Sequence, residues 1–424
     1  MKLQKEKISL KERISKSVGP GVITGIADDD PSGIATYAQT GAMFGFSQLW
    51  LALFSFPFMI AVQEMCARIG MTTGKGLAQI IKLHYSKKVL FVVVLLLCTA
   101  NIFNIGADLS AMSASAKLVI DIPFYAWLIL LTAVTLILEI TIPYPTYVKI
   151  LKYLSMTVLA YIVTAFLIHQ NWKEIGLATI TPHFEWSKAY LLNIIAMLGT
   201  TISPYLFFWQ ADEEVEEELA NGKLRMMGKG SPKINKEDIK QMRSDTVVGM
   251  FFSNLITFFI IITSASTINT AGLENISALT LAESLRPLAG DYATILFALG
   301  IIGTGMLAVP VLAGSAAYAI SEAFGWKEGL NKTFAQAKGF YSTIIIATIL
   351  GISFSFTSID PIIVLYYSAI LNGLLAPPLL FIILLIANNK KILGKYINSK
   401  LSNFFGIIIT IIMSISTILF LMTL

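Results

Sequence analysis

Charged residues are scarce in this chain of 424 residues, since Asp, Glu, Lys and Arg together make up only 13% of it. Average soluble domains carry about 25% charged residues. Hydrophobic residues account for 55%, and the mean hydropathy is +0.73. This composition excludes an ordinary soluble globular protein and predicts an all-α polytopic membrane protein surrounded by the lipid bilayer.

Cysteine and histidine are also rare. Cys66 and Cys98 each lie inside an apolar run, which excludes a disulfide framework and a cysteine-rich metal site. The three histidines, His84, His169 and His183, fall in predicted loops. We therefore expect neither zinc-type histidine chemistry within the membrane nor a bound cofactor.

Eleven apolar runs reach about 20 residues, the length at which a helix crosses a bilayer. Their centres lie near residues 30, 58, 100, 132, 158, 201, 254, 305, 346, 374 and 413. If the N-terminus is inside, 27 of the 31 Lys and Arg residues lie on the cytoplasmic side, and the four outside are Lys117, Lys173, Lys188 and Arg286. Because positive residues concentrate inside, we expect a cytoplasmic N-terminus and an outside C-terminus in the cell membrane. The net charge of +5 then needs no nucleic-acid partner.

Two spans contain helix-breaking polar clusters. Span 1 carries Asp28, Asp29 and Asp30 directly before Pro31, and span 6 carries the polar run Thr200–Pro204. An acid at mid-membrane costs roughly 2.5 to 3.5 kcal/mol even on lenient insertion scales, and a proline inside a helix costs about 3 kcal/mol. Irregular backbone at membrane depth persists only where protein buries it or where it lines a water-filled cavity. Both spans are therefore predicted to break and to line a binding site.

The spacing of the two breaks predicts the architecture. Five spans separate them, and an odd number inverts the second unit relative to the first, as in transporters built from inverted repeats. We expect eleven transmembrane helices in two inverted five-helix repeats, with spans 1 and 6 broken at the midplane and span 11 peripheral. The predicted boundaries are a cytosolic basic N-terminus at 1–17, a first repeat at 18–170, an extracellular loop at 171–188, a second repeat at 189–388 with a cytosolic charged loop at 211–243, a cytosolic linker at 389–401 and span 11 at 402–424.

The charged loop begins with the acidic run DEEVEEE at Asp212 and becomes basic towards Asp245. It is interpreted as a solvated connector with a short cytosolic helix. A metal-concentrating or regulatory role is the less favoured alternative.

A polar stripe marks span 3, where Asn101, Asn104 and Asp108 fall at i, i+3 and i+7 on one helical face. An acid within a membrane span faces the interior and is functional by default. The stripe is predicted to be a proton or cation pathway. The alternative is a structural network that holds span 3 to a neighbour.

The ligand between the two breaks is predicted to be a cation, because Asp30 lies in the first break. The candidate donors are the Asp30 carboxylate, the Ser32 and Ser203 hydroxyls, carbonyls freed near Thr200 and the Asn372 amide. All of them are oxygen donors, which suit Mg²⁺, Ca²⁺ or Mn²⁺. Few protein ligands suit an ion that keeps part of its water shell, as Mg²⁺ does.

The runs DDDPSGIATYAQTGA in span 1 and GTTISPYLFF in span 6 resemble the unwound motifs of the natural resistance-associated macrophage protein (Nramp) family of divalent metal transporters, which have a LeuT-like fold. The family pattern in span 1 is D-P-G-N. Asp30 and Pro31 match it, Ser32 takes the glycine position and Gly33 replaces the metal-binding asparagine.

The family pattern in span 6 is M-P-H-N. Ser203 takes the place of the methionine, Pro204 matches, and Tyr205 replaces the histidine linked to proton movement. Thr200 falls where a family residue offers its carbonyl to the metal. The resemblance also places Asp108 at a span 3 acid on the proton route and Asn372 near a polar span 10 ligand.

The departures from the family pattern bear on the choice of ion. Methionine sulfur favours transition metals over hard ions, so Ser203 removes a filter against Mg²⁺, and the loss of asparagine at Gly33 enlarges the site. The pattern resembles the Nramp-related magnesium transporter branch. It implies import of Mg²⁺, with Mn²⁺ next, by alternating access and without obligatory proton coupling.

Three alternatives stay open from the sequence. The first is a proton-coupled Mn²⁺/Fe²⁺ symporter of the same family. The others are an amino-acid transporter of the same architecture, which should have an acid-free first break, and an intramembrane aspartyl enzyme in which Asp30 pairs with Asp108. The sequence leaves the oligomeric state open and is compatible with a monomer.

Overall fold

The computed structural model describes residues 19–142, 146, 153, 156–272, 277–356 and 359–422, and these residues form helices and connectors without a β-strand. The predicted N-terminal segment 1–17 lies outside the described residues. In chain order the helices are α1 (Pro20–Asp28), α2 (Pro31–Phe44), α3 (Trp50–Thr73), α4 (Leu77–His84), α5 (Lys87–Val119), α6 (Phe124–Thr141), α7 (Ala160–Leu167), α8 (Trp172–Ile180), α9 (Lys188–Thr201), α10 (Pro204–Ala220), α11 (Lys236–Ser264), α12 (Ala278–Glu283), α13 (Arg286–Ala289), α14 (Ala293–Phe324), α15 (Lys338–Ser353), α16 (Pro361–Ala387), α17 (Lys390–Leu393) and α18 (Lys400–Met422).

Within the described ranges, nine helical segments are long and apolar enough to cross a membrane. They correspond to predicted spans 2, 3, 4 and 6 to 11. Span 1 is divided into α1 and α2, and predicted span 5 contains a shorter apolar helix over Met156–Leu167. The chain is a multi-pass membrane protein, whereas the full set of eleven spans and the inverted repeat stay predictions.

Both predicted helix breaks are present. The first helix ends at Asp28 and the next begins at Pro31, while α9 ends at Thr201 and α10 begins at Pro204. Each proline is therefore the first residue of a half-helix, where its missing N–H removes no intrahelical hydrogen bond. The break in span 1 falls at residues 29–30, directly before Pro31.

Close helix contacts bring the two broken spans into the interior. The main neighbour of α1 is α11, and that of α9 is α16. An added Cβ on Gly25 would lie 2.3 Å from the carbonyl oxygen of Gly249, and one on Gly199 would lie 2.1 Å from that of Ala369. Only glycine allows backbones to approach this closely, as is common between membrane helices.

The acidic run after the second break is not a solvated connector. The helix α10 continues unbroken from Pro204 to Ala220, and Asp212, Glu213, Glu214, Glu216 and Glu218 are buried along it. Packing of α10 against α3 and α14 covers these side chains. The acidic composition predicts that this run is exposed to solvent, but tertiary packing buries these side chains. The connector is limited to residues 221–235, because α11 begins at Lys236 behind a capping box.

One histidine also differs from its predicted position. His84 is the last residue of α4 and is exposed there, whereas His169 and His183 lie between helices as expected. None of the three lies in a membrane-length helix of the described chain.

Candidate cation site

Asp30 occupies the first break as the N-cap of α2. Its Oδ1 accepts hydrogen bonds from the backbone N–H of Gly33 at 2.6 Å and from the Ser32 hydroxyl at 2.8 Å. Its Oδ2 is buried and has no hydrogen-bond partner among the described residues. The carboxylate thus stabilises the start of α2 with one oxygen and offers the other to a ligand.

Gly33 lies where the two broken spans meet. A Cβ added there would lie 3.2 Å from the Asp28 carbonyl oxygen, 3.2 Å from Thr200 Oγ1 and 3.3 Å from Asp30 Oδ1. Three oxygens from the two breaks therefore converge on one glycine. Thr200 Oγ1 is buried and unpartnered within the described structure. A side chain at position 33 would crowd all three oxygens, so glycine leaves room for a ligand and its water.

Ser203 closes the second break. Its hydroxyl donates to the carbonyl oxygens of Gly199 at 2.9 Å and Thr200 at 2.7 Å. The Thr200 carbonyl expected as a ligand is thus already an acceptor in this arrangement, and the free donor of that residue is its hydroxyl. Ser203 Oγ keeps lone pairs for a cation.

Asp28 and Asp29 turn away from Asp30 towards α11. The Ser253 hydroxyl donates to Asp28 Oδ2 at 2.6 Å and lies 3.4 Å from Asp29 Oδ1. Asp29 and Ser253 also line a cavity of about 320 Å³ between α1 and α11. Of the three acids, only Asp30 therefore has its carboxylate beside Gly33 and the Thr200 hydroxyl.

The span 3 stripe divides into two parts. Asn101 donates through Nδ2 to Leu312 O at 2.8 Å and to Ser315 Oγ at 2.6 Å, which joins α5 to α14. Asn104 and Asp108 are fully buried, and their side-chain polar atoms have no partner in the described part of the chain. Asp108 lies close enough to Asp30 for their charges to interact. Asn101 thus has the structural role of holding α5 to α14. Asp108 belongs to the polar surroundings of the site.

Asn372 lies on α16 and is buried. The next residue, Gly373, packs against Gly199, since a Cβ on Gly199 would lie 2.4 Å from the Gly373 nitrogen. The Asn372 side-chain Nδ2 has no partner within the described ranges. Asn372 is therefore the sequence neighbour of a residue that packs against α9, the helix that carries Thr200.

Electrostatics favour a cation at this place. Asp28, Asp29, Asp30 and Asp108 are all buried, and none of them forms an ion pair in the described structure. Buried charges persist when they are paired or when they coordinate metal. The free Asp30 oxygen, the Thr200 hydroxyl and the Asp28 carbonyl near Gly33 are all oxygen donors, which suit a hard divalent cation.

Two features of the site could not be found by sequence reasoning. Ser253 lies in an ordinary apolar stretch of α11, and no spacing connects it to Asp28. The Thr200 motif predicts a carbonyl ligand, whereas the unpartnered donor of this residue is its hydroxyl. Both depend on how helices far apart in the chain pack together.

A family model and a relative of known name match most of this chain. The family model described as natural resistance-associated macrophage protein-like matches residues 21–423. The divalent metal cation transporter MntH of Deinococcus radiodurans is 25% identical over 312 residues, which cover 71% of this chain and 68% of that protein.

Solved structures show a similar fold. The manganese transporter of Eremococcus coleocola, bound to an aromatic bis-isothiourea compound, superposes with a TM-score of 0.76 at 15% identity, covering 96% of this chain and 86% of that one. Mhp1, a nucleobase-cation-symport-1 family transporter, gives a TM-score of 0.58 at 11% identity and covers 96% and 93%. At these identities the likeness concerns the fold, which is that of LeuT-fold transporters.

Proposed function

The chain belongs to the natural resistance-associated macrophage protein family, and on that premise we propose that it imports a divalent metal cation by alternating access, with Mg²⁺ preferred and Mn²⁺ next. Its matched relatives are metal transporters, and the chain is not an enzyme. The intramembrane aspartyl protease alternative is thereby set aside. The acid in the first break also argues against an amino-acid substrate.

The observation that carries the choice of ion is the convergence of oxygens on Gly33. Asp30, Thr200 and the Asp28 carbonyl meet there. In the family pattern that the span 6 motif resembles, Ser203 takes the methionine position. Without a sulfur donor, nothing in this set favours a softer transition metal over Mg²⁺. The space left at Gly33 suits an ion that retains water ligands, as Mg²⁺ does.

The orientation follows from the distribution of basic residues. We place the N-terminus and the acidic end of α10 on the cytoplasmic side and the C-terminus outside, in the cell membrane.

The test is uptake into proteoliposomes loaded with a divalent-metal dye, with Mg²⁺ and Mn²⁺ compared at equal concentration. We expect Asp30→Asn to lose nearly all uptake of both ions. Asparagine is also a good N-cap, so the fold of α2 should persist. Asp121→Asn, at an exposed loop position, is the matched control and should transport normally.

Two results would overturn the proposal. Wild-type uptake rates in Asp30→Asn would remove the charged ligand from the mechanism. Transport of Mn²⁺ with complete rejection of Mg²⁺ would favour the second candidate, a proton-coupled Mn²⁺/Fe²⁺ symporter. The observation that favours this candidate is the unpartnered Asp108 carboxylate beside Asp30.

A further inference from the structure

Two further buried carboxylates, Asp212 on α10 and Glu322 on α14, lie away from the Asp30 site. Asp212 follows Ser203 by nine residues on the same helical rod, or roughly 13 Å at 1.5 Å per residue. Its side chain is fully buried, and neither carboxylate oxygen has a partner among the described residues. Such a group is costly unless something compensates its charge.

Asp212 faces Glu322, which lies near the end of α14. A Cβ added to Gly76 would lie 2.0 Å from Asp212 Oδ1 and 2.5 Å from Glu322 Oε1. Both carboxylates therefore project into the space that glycine leaves open, close enough for one ion to bridge them. Glu322 is held there because it accepts hydrogen bonds from Gly76 N at 2.8 Å and Gln79 N at 3.0 Å, at the start of α4.

No Lys, Arg or His side chain of the described residues lies within ion-pair distance of either carboxylate, although the charge of Lys82 acts on Glu322 from further away. In the described chain neither Asp212 nor Glu322 forms a salt bridge. Lys82 donates to the backbone carbonyl of Glu322 at 3.1 Å rather than to its carboxylate. The neighbouring Glu216 differs, since Tyr318, Leu330 and Asn331 satisfy its oxygens.

We propose that Asp212 and Glu322 form a second divalent-cation site, separate from the Asp30 site, that binds a partly hydrated hard cation such as Mg²⁺. No group of three or more acidic, histidine or cysteine side chains with metal-ligating spacing occurs among the described residues. The site therefore supplies two carboxylates and leaves the other positions to water. Mg²⁺ accepts this arrangement, because it is often bound through one or two carboxylates and keeps several waters.

The bound cation would tie three elements together. Asp212 lies on α10, Glu322 on α14, and Gly76 at the turn before α4. Because α10 begins in the second break at Ser203, occupancy of this site holds in place the helix that contributes to the Asp30 site. Binding itself does not depend on the transport proposal.

The experiment counts Mn²⁺ bound to purified full-length protein by electron paramagnetic resonance, with Mg²⁺ as competitor. Wild type should bind two Mn²⁺ per chain, both displaced by excess Mg²⁺. Asp212→Asn and Glu322→Gln should each lose one equivalent, Asp30→Asn should lose the other, and Asp30→Asn with Asp212→Asn should bind none. Glu217→Gln, an exposed acid on the same helix, is the matched control and should bind two.

Glutamine at 322 keeps one of the two acceptor oxygens that the start of α4 uses, so Glu322→Gln tests the charge even if Asp212→Asn fails to fold. If wild type binds one Mn²⁺ and Asp30→Asn binds none, the pair is neutralised by protons and the second site does not exist. If Asp30→Asn keeps the full count while Asp212→Asn loses one, the second site stands and the Asp30 assignment fails.

Discussion

The hydroxyl of Tyr205 donates a hydrogen bond of 2.9 Å to the carbonyl oxygen of Ala27. In an unbroken helix that carbonyl would accept from the N–H of residue 31, but Pro31 has none. Tyr205 therefore replaces the backbone bond that the first break removes. One side chain from the second broken span thus completes the end of α1.

Tyr205→Phe should destabilise the protein without abolishing transport. The variant leaves a buried carbonyl without a donor, which costs about 1–3 kcal/mol. We expect a lower Tm in detergent and an uptake rate within about tenfold of wild type, a difference of ~1.4 kcal/mol. A variant with unchanged Tm but no transport would instead mean that the hydroxyl acts on the ion or on a proton.

The three consecutive acids should differ in their effect on uptake. Asp28 and Asp29 share Ser253, whereas Asp30 faces the Gly33 oxygens. Asp28→Asn and Asp29→Asn should therefore lower uptake by less than Asp30→Asn at the same Mg²⁺ concentration. Equal loss in all three variants, at matched protein incorporation into liposomes, would indicate a shared acidic cluster instead.

The choice of ion should respond to Gly33→Asn combined with Ser203→Met. The asparagine fills the space between Thr200 Oγ1 and Asp30 Oδ1, and the methionine adds a sulfur donor that Mn²⁺ accepts better than Mg²⁺. We expect the ratio of Mn²⁺ to Mg²⁺ uptake to rise by roughly tenfold, or ~1.4 kcal/mol.

Ser203→Ala is the control for that double variant. It removes the hydrogen bonds to the Gly199 and Thr200 carbonyls without adding sulfur. Its uptake ratio should stay near that of wild type even if its rate falls. A folded double variant that keeps the wild-type preference would show that oxygen-donor selection is the wrong explanation.

Glu328, in the connector after α14, should make stability depend on pH. Burial, with a contribution from the charge of Glu322, raises the pKa of this carboxyl to about 9. Between the unfolded pKa of about 4.3 and that value, the unfolded chain binds fewer protons than the native one, so stability falls as pH rises.

Glu328→Gln should remove part of this dependence. Measured in EDTA, the Tm of wild type should drop more steeply than that of the variant between about pH 6 and about pH 9. Glu217→Gln controls for the loss of one negative charge. Parallel Tm curves for wild type and Glu328→Gln would contradict the expectation.

The helix breaks could be predicted from sequence because their cause is local. Proline restricts its own φ and the conformation of the residue before it. Pro31 and Pro204 therefore predict the start of a half-helix whatever the tertiary structure. The contacts between the breaks could not be predicted in this way. Tyr205 and Ala27 are 178 residues apart, and Ser253 and Asp28 are 225 apart. Such pairs depend on the crossing of helices, which no spacing rule encodes.

The acidic part of α10 shows how sequence reasoning fails in the opposite direction. Seven residues from Asp212 to Glu218 include six acids, which predicts a solvated surface. The helix α10 instead continues from Pro204 through this run and packs against α3, α4 and α14, and five of the six acids are buried. Their burial reflects tertiary packing, and the charge pattern alone gives no sign of the Gly76 space that receives Asp212.

We expect that metal uptake is not obligatorily coupled to protons. Coupling needs a group near the site that changes protonation in the working pH range, and histidine is the side chain whose unperturbed pKa lies there. No histidine lies in a membrane-length helix of the described chain. Tyr205 stands where the family has histidine, but its hydroxyl already donates to Ala27, and an unperturbed tyrosine titrates only near about pH 10.

Asp108 is the remaining carboxyl that could carry a proton across, since both of its oxygens are buried and unpartnered in the described structure. The measurement is Mg²⁺ uptake into liposomes that contain a trapped pH dye, with the membrane potential clamped. We expect uptake by wild type without metal-dependent internal acidification, and slower uptake by Asp108→Asn that is equally free of acidification. Acidification that accompanies uptake in wild type and disappears in Asp108→Asn would show that the carboxyl moves protons with the metal, and the chain would then work as a symporter.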